Sequence, residues 1–238
     1  MIHKNKVHLK TFSAVASNLK GGYRMTSNRE EYLRIIYQAG GLHEYVSNKV
    51  LSEKLDIAMP SIIEVINKLD KEGYINYKKY KGSMLTQKGL NASVNVVRSH
   101  RIWEVFLIKH LNYSWREAHE DAHLLEHATS ERMLDRLDEF LNYPEVCPHG
   151  AKIPRIGDCE LPVRNLKPLN SIEVGGKVKI SRLVEDGILL DYISKCGIKV
   201  GEEAEILSKG EYEGEIVILQ EGMEKRISHK AASQIFVD

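Results

Sequence analysis

The chain has 238 residues, 42% of them hydrophobic and 28% charged, with a formal net charge of +1. This is the composition of a globular protein, and the length allows one large domain or two to three small ones. No apolar run approaches the roughly 20 residues of a membrane span, and the N-terminus lacks the apolar stretch of a signal peptide. The three cysteines show no C-x-x-C spacing, which argues against a disulfide framework and for a reducing, cytoplasmic setting.

The charge is distributed unevenly along the chain. Residues 1–100 carry 16 Lys and Arg against 8 Asp and Glu, whereas residues 101–238 carry 18 against 25. A basic front and an acidic back fit a nucleic-acid-binding region joined to an acidic regulatory body.

The basic segment 1–24 has little pattern and precedes Met25. Three interpretations of this N-terminal extension stay open: a flexible or disordered arm, a short extra helix, or a start codon assigned too early. We favour the last, because the residues after Met25 open a helix naturally.

The apolar spacing next predicts three consecutive helices. The first opens at Ser27 or Asn28, which are both good N-cap residues, and a Gly-Gly pair ends it. Ser47 caps the second helix, and the third starts at Pro60 or Ser61, since proline is tolerated in a first helical turn. The second and third helices form a helix-turn-helix.

Two short extended segments, 74–78 and 83–86, follow the helices and flank a lysine-rich turn. A helix-turn-helix followed by a basic β-hairpin is the outline of a winged helix-turn-helix, which predicts DNA binding by residues 25–97. The alternative is a generic small helical core with a lysine-rich turn.

Candidates for DNA contact lie on the outer side of this region. The candidates for contacts with base edges are Pro60, Ser61, Glu64 and Lys68. The candidates for contacts with phosphates are Asn48, Lys49, Lys71, Lys79 and Lys81. Any single lysine of this set could equally be ordinary solvated surface.

The remaining chain divides into a helical part and a β-rich part. Amphipathic helices are predicted at 89–111, 114–127 and 130–141. A Pro- and Gly-rich linker, 144–168, follows them. From Ser171 the pattern changes to four or five short strands with one helix, 188–194, among them. Short strands separated by glycine turns predict a small antiparallel barrel.

Five of the ten histidines lie between positions 100 and 127. On the first of these helices His100 and Glu104 are four residues apart, so their side chains share one face. The second helix carries a similar set: His119, His123, Glu126 and His127. Imidazole with carboxylate is the donor mix that manganese, iron and zinc accept, which indicates a divalent metal site shared between the helices.

Two other interpretations compete with this metal site. His119-Glu120-Asp121-Ala122-His123 matches the H-E-x-x-H motif of zinc metallopeptidases, in which the histidines bind zinc and the glutamate is the general base. That motif has only three fixed positions, and the predicted domains leave no room for a peptidase domain, so we do not expect an enzyme. The same residues could also form a solvated helix face, or belong to a metal-storage protein without DNA affinity.

As a set, the motifs resemble the diphtheria-toxin-repressor-like family of metal-dependent transcriptional regulators, in particular its manganese-transport-regulator branch. The resemblance runs from Met25 to Asp238 and rests on five motifs in order. They are Asn28-Arg29-Glu30-Glu31-Tyr32-Leu33, Lys79-Tyr80-Lys81-Gly82-Ser83-Met84-Leu85-Thr86, His100-Arg101-Ile102-Trp103-Glu104-Val105-Phe106-Leu107, His119 to His127, and Cys147-Pro148-His149-Gly150.

The resemblance implies a multidomain, mainly α protein with a small β part. Residues 25–97 would be the winged helix-turn-helix, 98–165 a helical dimerisation and metal-binding domain with its linker, and 171–238 an SH3-like (FeoA-like) β-barrel. It implies a repressor of metal-uptake genes that binds palindromic double-stranded operator DNA as a homodimer, with no membrane and no small-molecule substrate. The expected effector is Mn²⁺, with Fe²⁺ as the next candidate and Zn²⁺ or Co²⁺ as candidates in vitro.

The resemblance also implies two metal sites. The effector site would comprise Glu31, His123, Glu126 and His127. The ancillary site would comprise His100, Glu104, His119, Cys147 and His149. The sequence departs from the family pattern at His123, where relatives usually carry Glu or Cys, and this extra imidazole favours iron, zinc or cobalt over manganese. It departs again at Ile188, where relatives often supply an acidic ligand from the barrel, and Glu185 and Asp186 are nearby substitutes.

Overall fold

The structure, a computed structural model, describes residues 25–155 and 166–238; the predictions for residues 1–24 lie outside this part. The first domain contains three helices and a hairpin: α1 (Ser27–Gln38), α2 (Asn48–Leu55), α3 (Met59–Lys71), β1 (Ile75–Lys78) and β2 (Gly82–Leu85). The two strands pair antiparallel. This arrangement is the winged helix-turn-helix that the sequence predicts.

The starts of these helices differ slightly from the prediction. α1 is preceded by Thr26 rather than by Ser27 or Asn28, and the Thr26 side chain makes no capping hydrogen bond. α2 has the predicted cap, since Ser47 Oγ accepts a backbone hydrogen bond from the first turn. α3 begins one residue before Pro60, so the proline still lies in the first turn, where its missing N–H has no intrahelical partner to lose.

The second domain consists of three helices: α4 (Gln87–Leu111), α5 (Trp115–Leu125) and α6 (Glu131–Phe140). Ser114 and Glu117 form a reciprocal capping box that defines the start of α5. α5 ends at Leu125, two residues earlier than predicted. Glu126 and His127 consequently lie in the turn that follows the helix.

α4 belongs to both of these domains. Thr86 caps it, and Gly89 lies so close to the hairpin that a Cβ there would stand 1.9 Å from the Tyr74 carbonyl oxygen. Val97 is buried in the core of the winged domain, whereas Ile102 is buried in the core shared with α6. None of the described helices is both long and apolar enough to cross a bilayer.

The C-terminal domain is a six-stranded antiparallel sheet with two short α-helices and a 3-10 turn, Leu169–Ser171. Its elements are β3 (Lys167–Pro168), β4 (Lys177–Leu183), α7 (Gly187–Lys195), β5 (Glu203–Lys209), β6 (Ile216–Gln220), β7 (Met223–Ile227), α8 (His229–Ala232) and β8 (Ile235–Val237). The strand order is β3-β8-β4-β5-β6-β7. β4 pairs with different strands along its length: residues 177–179 pair with β5, and residues 180–183 pair with β8. The pairing with β8 contains a β-bulge between Ile180 and Arg182, and β4 bends between the two halves of the sheet. The sheet thereby curves around its own apolar core, as expected for the predicted SH3-like domain.

The C-terminal domain packs on the helical domain. Leu183 N–H donates a hydrogen bond to the His149 carbonyl oxygen at 2.9 Å, and Trp115 of α5 packs against the core of the sheet. Gly150 has a φ of 80°, and a Cβ there would stand 1.9 Å from the Ser181 carbonyl oxygen. The loop that carries residues 147–149 therefore lies directly on β4.

Candidate metal centre

The four predicted effector residues converge where α1 meets the end of α5. Glu31 lies on α1, His123 on the last turn of α5, and Glu126 and His127 on the turn that follows. One donor atom from each residue lies within 4.8 Å of the others. These four residues, which we call the effector cluster, join the winged domain to the helical domain.

Glu126 is the buried centre of the effector cluster. Its Oε1 lies 3.1 Å from His127 Nε2 and 3.3 Å from His123 Nδ1. Burial alone would raise the pKa of this carboxyl, but hydrogen bonds with His100, His123 and His127 hold the pKa well below its usual range. The carboxylate is therefore ionised and available to a cation.

Glu30, which sequence reasoning did not identify as a site residue, orients His127. His127 Nδ1 lies 2.8 Å from Glu30 Oε2, and this contact leaves Nε2 directed at Glu126 and Glu31. Burial alone would lower the pKa of His127, but hydrogen bonds with Glu126 and Glu30 raise it to about 9. A carboxylate on the second ring nitrogen is a common partner of metal-binding histidines. In the sequence, the only sign that Glu30 could belong to the site was its position directly before Glu31.

The structure divides the five predicted ancillary residues into two groups of three that share Glu104: His100, Glu104 and His119, and Glu104, Cys147 and His149. Glu104 Oε1 lies 3.0 Å from both His100 Nε2 and His119 Nδ1, and Oε2 lies 3.2 Å from His149 Nδ1. The donor atoms of Glu104, Cys147 and His149 lie within 4.8 Å of one another. One buried carboxylate therefore faces the helix donors with one oxygen and the 147–149 loop with the other. We call these five residues the ancillary cluster.

His100 connects the two clusters. Its Nδ1 lies 2.6 Å from Glu126 Oε2, and its Nε2 faces Glu104. Burial alone would lower the pKa of His100, but Glu104 and Glu126 raise it to about 10. Burial raises the pKa of the Cys147 thiol despite the nearby Arg101 guanidinium, so the thiol stays protonated until a metal ion binds beside it.

Among the described residues, His149 Nε2 is buried without a hydrogen-bond partner, and within 3.3 Å the buried Glu104 Oε2 and Glu126 Oε1 meet only imidazole nitrogens. Buried polar atoms nearly always have a partner, because an unsatisfied one costs about 1–3 kcal/mol. Each of these atoms belongs to a carboxylate or an imidazole. The donors present therefore fit divalent metal ions at both clusters.

An open cavity of about 300 Å³ borders the effector cluster. Its lining includes Glu30, Ser99, Glu126 and Glu131. The acidic lining gives a cation an electrostatically favourable approach to Glu126.

Neither suggested barrel substitute joins these clusters. Glu185 accepts hydrogen bonds from Arg101 Nε at 2.9 Å and from Gln38 Nε2 at 2.8 Å. Asp186 caps α7, and Ile188 is 78% exposed. Glu185 thus contacts a residue of each of the other two domains instead of serving as a metal ligand.

The H-E-x-x-H spacing does not assemble a peptidase centre. His119 and His123 belong to different clusters. Glu120, the general base of that alternative, is exposed and forms an ion pair with Arg116 at 2.8 Å. The spacing instead places donors of two clusters along one helix.

The predicted DNA-contact residues lie at the surface of the winged domain, with Asn48 half-buried. Pro60 and Ser61 are exposed in the first turn of α3, and Glu64 forms an exposed ion pair with Lys68 at 2.6 Å. The candidate phosphate contacts with exposed side chains are Lys49, Lys71, Lys79 and Lys81.

Three family models match the chain in succession. The iron dependent repressor N-terminal DNA binding domain matches residues 24–83. The iron dependent repressor metal binding and dimerisation domain matches residues 86–155, and the FeoA domain matches residues 167–238.

Individual relatives are also similar. The HTH-type transcriptional regulator MntR of Oceanobacillus iheyensis is 31% identical over 118 residues, which are 50% of this chain and 80% of that protein. The solved structure of the manganese regulator SloR is 37% identical, with a TM-score of 0.72 over 90% of this chain and 99% of that one. A manganese-dependent transcriptional repressor in complex with manganese is 30% identical, with a TM-score of 0.77 over 88% of this chain and 99% of that one.

These matches confirm the predicted family and fold class, and they give the peptidase alternative no support. The chain belongs to the family of metal-dependent, DNA-binding transcriptional repressors that its motifs resemble, and it is not an enzyme.

Proposed function

We propose that this repressor senses Mn²⁺, with Fe²⁺ as the next candidate, and that its metal-loaded homodimer binds a palindromic operator of metal-uptake genes. One observation carries the proposal. Glu31 lies on α1 of the winged domain, while its three partner donors lie on α5 and the turn after it. Because all four donors must converge to share one ion, α1 takes a fixed position against α5 when the site is filled.

The position of α1 is coupled to the position of the DNA-reading helix. Leu33 and Ile36 of α1 are buried in the same core as Ile62 and Ile66 of α3. When bound, the ion supplies a positive charge that attracts the carboxylates of both Glu31 and Glu126. A difference in affinity between two domain arrangements is then sufficient to shift the equilibrium between them. In a homodimer, two α3 helices would be held at the spacing of two operator half-sites.

The donor set and the relatives together favour manganese. Glu31 and Glu126 supply the oxygen donors that suit Mn²⁺, whereas His123 and His127 increase the relative affinity for iron, zinc and cobalt. Two similar solved structures are named as manganese regulators, and for this reason we place Mn²⁺ first. The ancillary cluster, with its thiol, is the softer of the two proposed sites.

We further propose two kinds of DNA contact. Pro60, Ser61, Glu64 and Lys68 would face base edges in the major groove. Asn48, Lys49, Lys71, Lys79 and Lys81 would bind phosphates and make the affinity depend on salt. As a regulator of transcription, the protein would act in the cytoplasm beside the DNA.

The test is DNA binding across a series of divalent metals. A duplex selected from a random library in the presence of Mn²⁺ would be titrated by fluorescence anisotropy with Mn²⁺, Fe²⁺, Zn²⁺ and Co²⁺ at matched free concentrations. We expect Mn²⁺ to promote binding at the lowest free concentration, and we expect the selected sequence to be palindromic.

Variants identify the site in the same assay. Glu31→Gln and His123→Ala should weaken the metal response, whereas Glu120→Gln, an exposed change on the same helix as His123, should leave it unchanged. DNA binding that is equally strong without metal, or a normal metal response in Glu31→Gln, would contradict the proposal.

A further inference from the structure

Arg34, which sequence reasoning did not identify, reaches the effector cluster from α1. Its side chain is only 8% exposed. Its Nη2 and Nε lie 2.6 Å and 2.9 Å from the two carboxylate oxygens of Glu31. The same Nη2 lies 3.1 Å from His123 Nε2, and Nε lies 3.8 Å from Glu126 Oε1. The guanidinium therefore approaches three of the four effector donors.

These contacts use atoms that a metal ion would also need. Both oxygens of Glu31 accept hydrogen bonds from Arg34. A guanidinium has N–H donors and no acceptor, so His123 Nε2 meets Arg34 with its lone pair. The other ring nitrogen of His123, Nδ1, faces Glu126. Neither Glu31 nor His123 can bind a metal ion fully while Arg34 keeps this position.

The guanidinium also has an acceptor outside the cluster. Arg34 Nη1 lies 3.3 Å from Gln38 Oε1, one turn further along α1. Gln38 in turn donates a hydrogen bond to Glu185 of the C-terminal domain at 2.8 Å. A small movement of Arg34 toward Gln38 and Glu185 would release the effector donors without leaving the positive charge unpaired.

We propose that Arg34 is a tethered cation of the effector cluster, which holds Glu31 and His123 while metal is absent and must release them when metal binds. Arg34 thereby sets the metal concentration at which the repressor responds. The inference rests on the proposed effector site and goes beyond it, because it assigns a competing charge to the chain itself. Arg34 acts through the ligands and is not a ligand.

The sign of the effect separates competition from simple structural support. A guanidinium stays charged at physiological pH, so the ion and Arg34 compete for one set of donors. Removing the charge should then strengthen metal binding and destabilise the metal-free protein, in which Glu31 loses its ion pair. If Arg34 only maintained the shape of the cluster, removing it would weaken metal binding.

The experiment compares full-length Arg34→Gln, Arg34→Lys and wild type. Mn²⁺ binding would be followed by electron paramagnetic resonance of the free ion, and melting temperatures would be recorded with and without Mn²⁺. We expect Arg34→Gln to bind Mn²⁺ about tenfold more tightly, a typical size for changes around metal ligands. Without metal, Arg34→Gln should also melt at a lower temperature than wild type. Addition of Mn²⁺ should raise its melting temperature by more than it raises that of wild type. Arg34→Lys keeps the charge but not the bidentate contact with Glu31. Its Mn²⁺ affinity should therefore lie between those of wild type and Arg34→Gln.

Arg29→Gln is the matched control, because it removes one positive charge from the same helix at a residue that pairs with Glu72. Its Mn²⁺ affinity should equal that of wild type. Should Arg34→Gln fold only with Mn²⁺ present, the rate at which a chelator removes Mn²⁺ replaces the titration, and a slower rate than wild type is expected.

Two results would overturn the inference while leaving the proposed function intact: weaker or unchanged Mn²⁺ binding in Arg34→Gln, or a faster loss of Mn²⁺ to the chelator. A wild-type protein that binds no Mn²⁺, Fe²⁺, Zn²⁺ or Co²⁺ would instead refute the proposed function, and the inference with it.

Discussion

Glu30 and Glu31 are neighbours in sequence, yet they contribute differently to the effector cluster. Glu31 presents its carboxylate as a candidate ligand, whereas Glu30 accepts a hydrogen bond from His127 Nδ1 at 2.8 Å. The first role places a donor of the winged domain in the cluster. The second directs the remaining nitrogen of His127 toward Glu126.

Replacing Glu30 by alanine should therefore weaken metal binding without removing a ligand. We expect Glu30→Ala to reduce Mn²⁺ affinity by about tenfold, since loss of an outer hydrogen-bond partner usually costs 10–100-fold. Glu30→Gln, which keeps an acceptor, should lie closer to wild type. Mn²⁺ titration monitored by electron paramagnetic resonance measures the affinity of both variants. Equal affinity in wild type and Glu30→Ala would show that Glu30 does not orient His127.

The protonation of His127 predicts how metal affinity depends on pH. Its pKa is raised to about 9, so below that pH the ring carries a proton that must leave before Nε2 can bind a metal ion. Apparent Mn²⁺ affinity should therefore increase from pH 7 toward pH 9. Anaerobic titrations at pH 7, 8 and 9 test this, with proton release measured by calorimetry in two buffers. A pH-independent affinity would contradict it.

At the level of single residues, the sequence could predict which candidate metal-binding side chains lie together on one helix. His100 and Glu104 are four residues apart on α4, and such spacing is a local property of a helix. The membership of Glu31, Cys147 and His149 came only from the family resemblance, because those residues lie far along the chain from the other donors. Glu30 and Arg34 could not be identified in either way. Opposite charges three or four residues apart usually indicate a surface ion pair, and nothing local shows that this face of α1 meets α5.

At the level of elements, a reciprocal capping box defines the start of α5. Ser114 Oγ accepts a hydrogen bond from Glu117 N–H, and the Glu117 side chain accepts one from Ser114 N–H at 3.0 Å. This box precedes the helix that carries His119 and His123. The predicted start, Ser114, is this capping residue and lies one position before the first helical residue, Trp115.

Removing this cap should destabilise the helical domain. Ser114→Ala should lower the free energy of unfolding by about 1 kcal/mol, the usual cost of losing such a cap. Ser208→Ala, a change at an exposed strand position, should remain within about 0.5 kcal/mol of wild type. Urea denaturation of the metal-free protein measures both. An effect of Ser114→Ala no larger than that of Ser208→Ala would show that the capping box contributes little.

Helices could be predicted from the sequence better than strands. The predicted bounds of the six helices between positions 27 and 141 lie close to the observed ones, because caps and apolar spacing are local signals. Short elements near the two ends of the C-terminal domain were missed, among them β3, α8 and β8. Ile235–Val237 has too few residues to show a pattern, and it becomes a strand only because β4 and β3 pair with it on its two sides. Such pairing depends on residues distant in sequence.

At the scale of the whole molecule, Glu185 links all three domains. It belongs to the C-terminal domain and accepts hydrogen bonds from Gln38 of the winged domain and Arg101 of the helical domain. Burial alone would raise the pKa of Glu185, but Arg101 lowers it below its usual value, so the carboxylate remains charged. The buried side chains of this ion pair make it a structural contact between domains.

Glu185→Ala should loosen the C-terminal domain. It leaves the buried Arg101 without its carboxylate, and breaking one side of a buried ion pair typically costs about 3–5 kcal/mol. We expect faster amide hydrogen exchange in β4 and α7 and a lower melting temperature. Asp191→Asn, which removes an exposed ion pair with Lys195 in the same domain, should cost less than about 1 kcal/mol. Unchanged exchange in Glu185→Ala would show that other contacts hold the domain in place.

α4 runs without a break through two domains for 25 residues, about 37 Å at 1.5 Å per residue. Its first turn touches the hairpin through Gly89, and Glu104 lies about 22 Å further along the same axis. A rotation of α4 by ten degrees about Glu104 would carry Gly89, and the base of the hairpin that it touches, through an arc of about 4 Å, close to the axial rise of one base pair in B-DNA. Under the proposed function, a reorientation of this size at the buried carboxylate would displace the winged domain along the DNA by about one base-pair step.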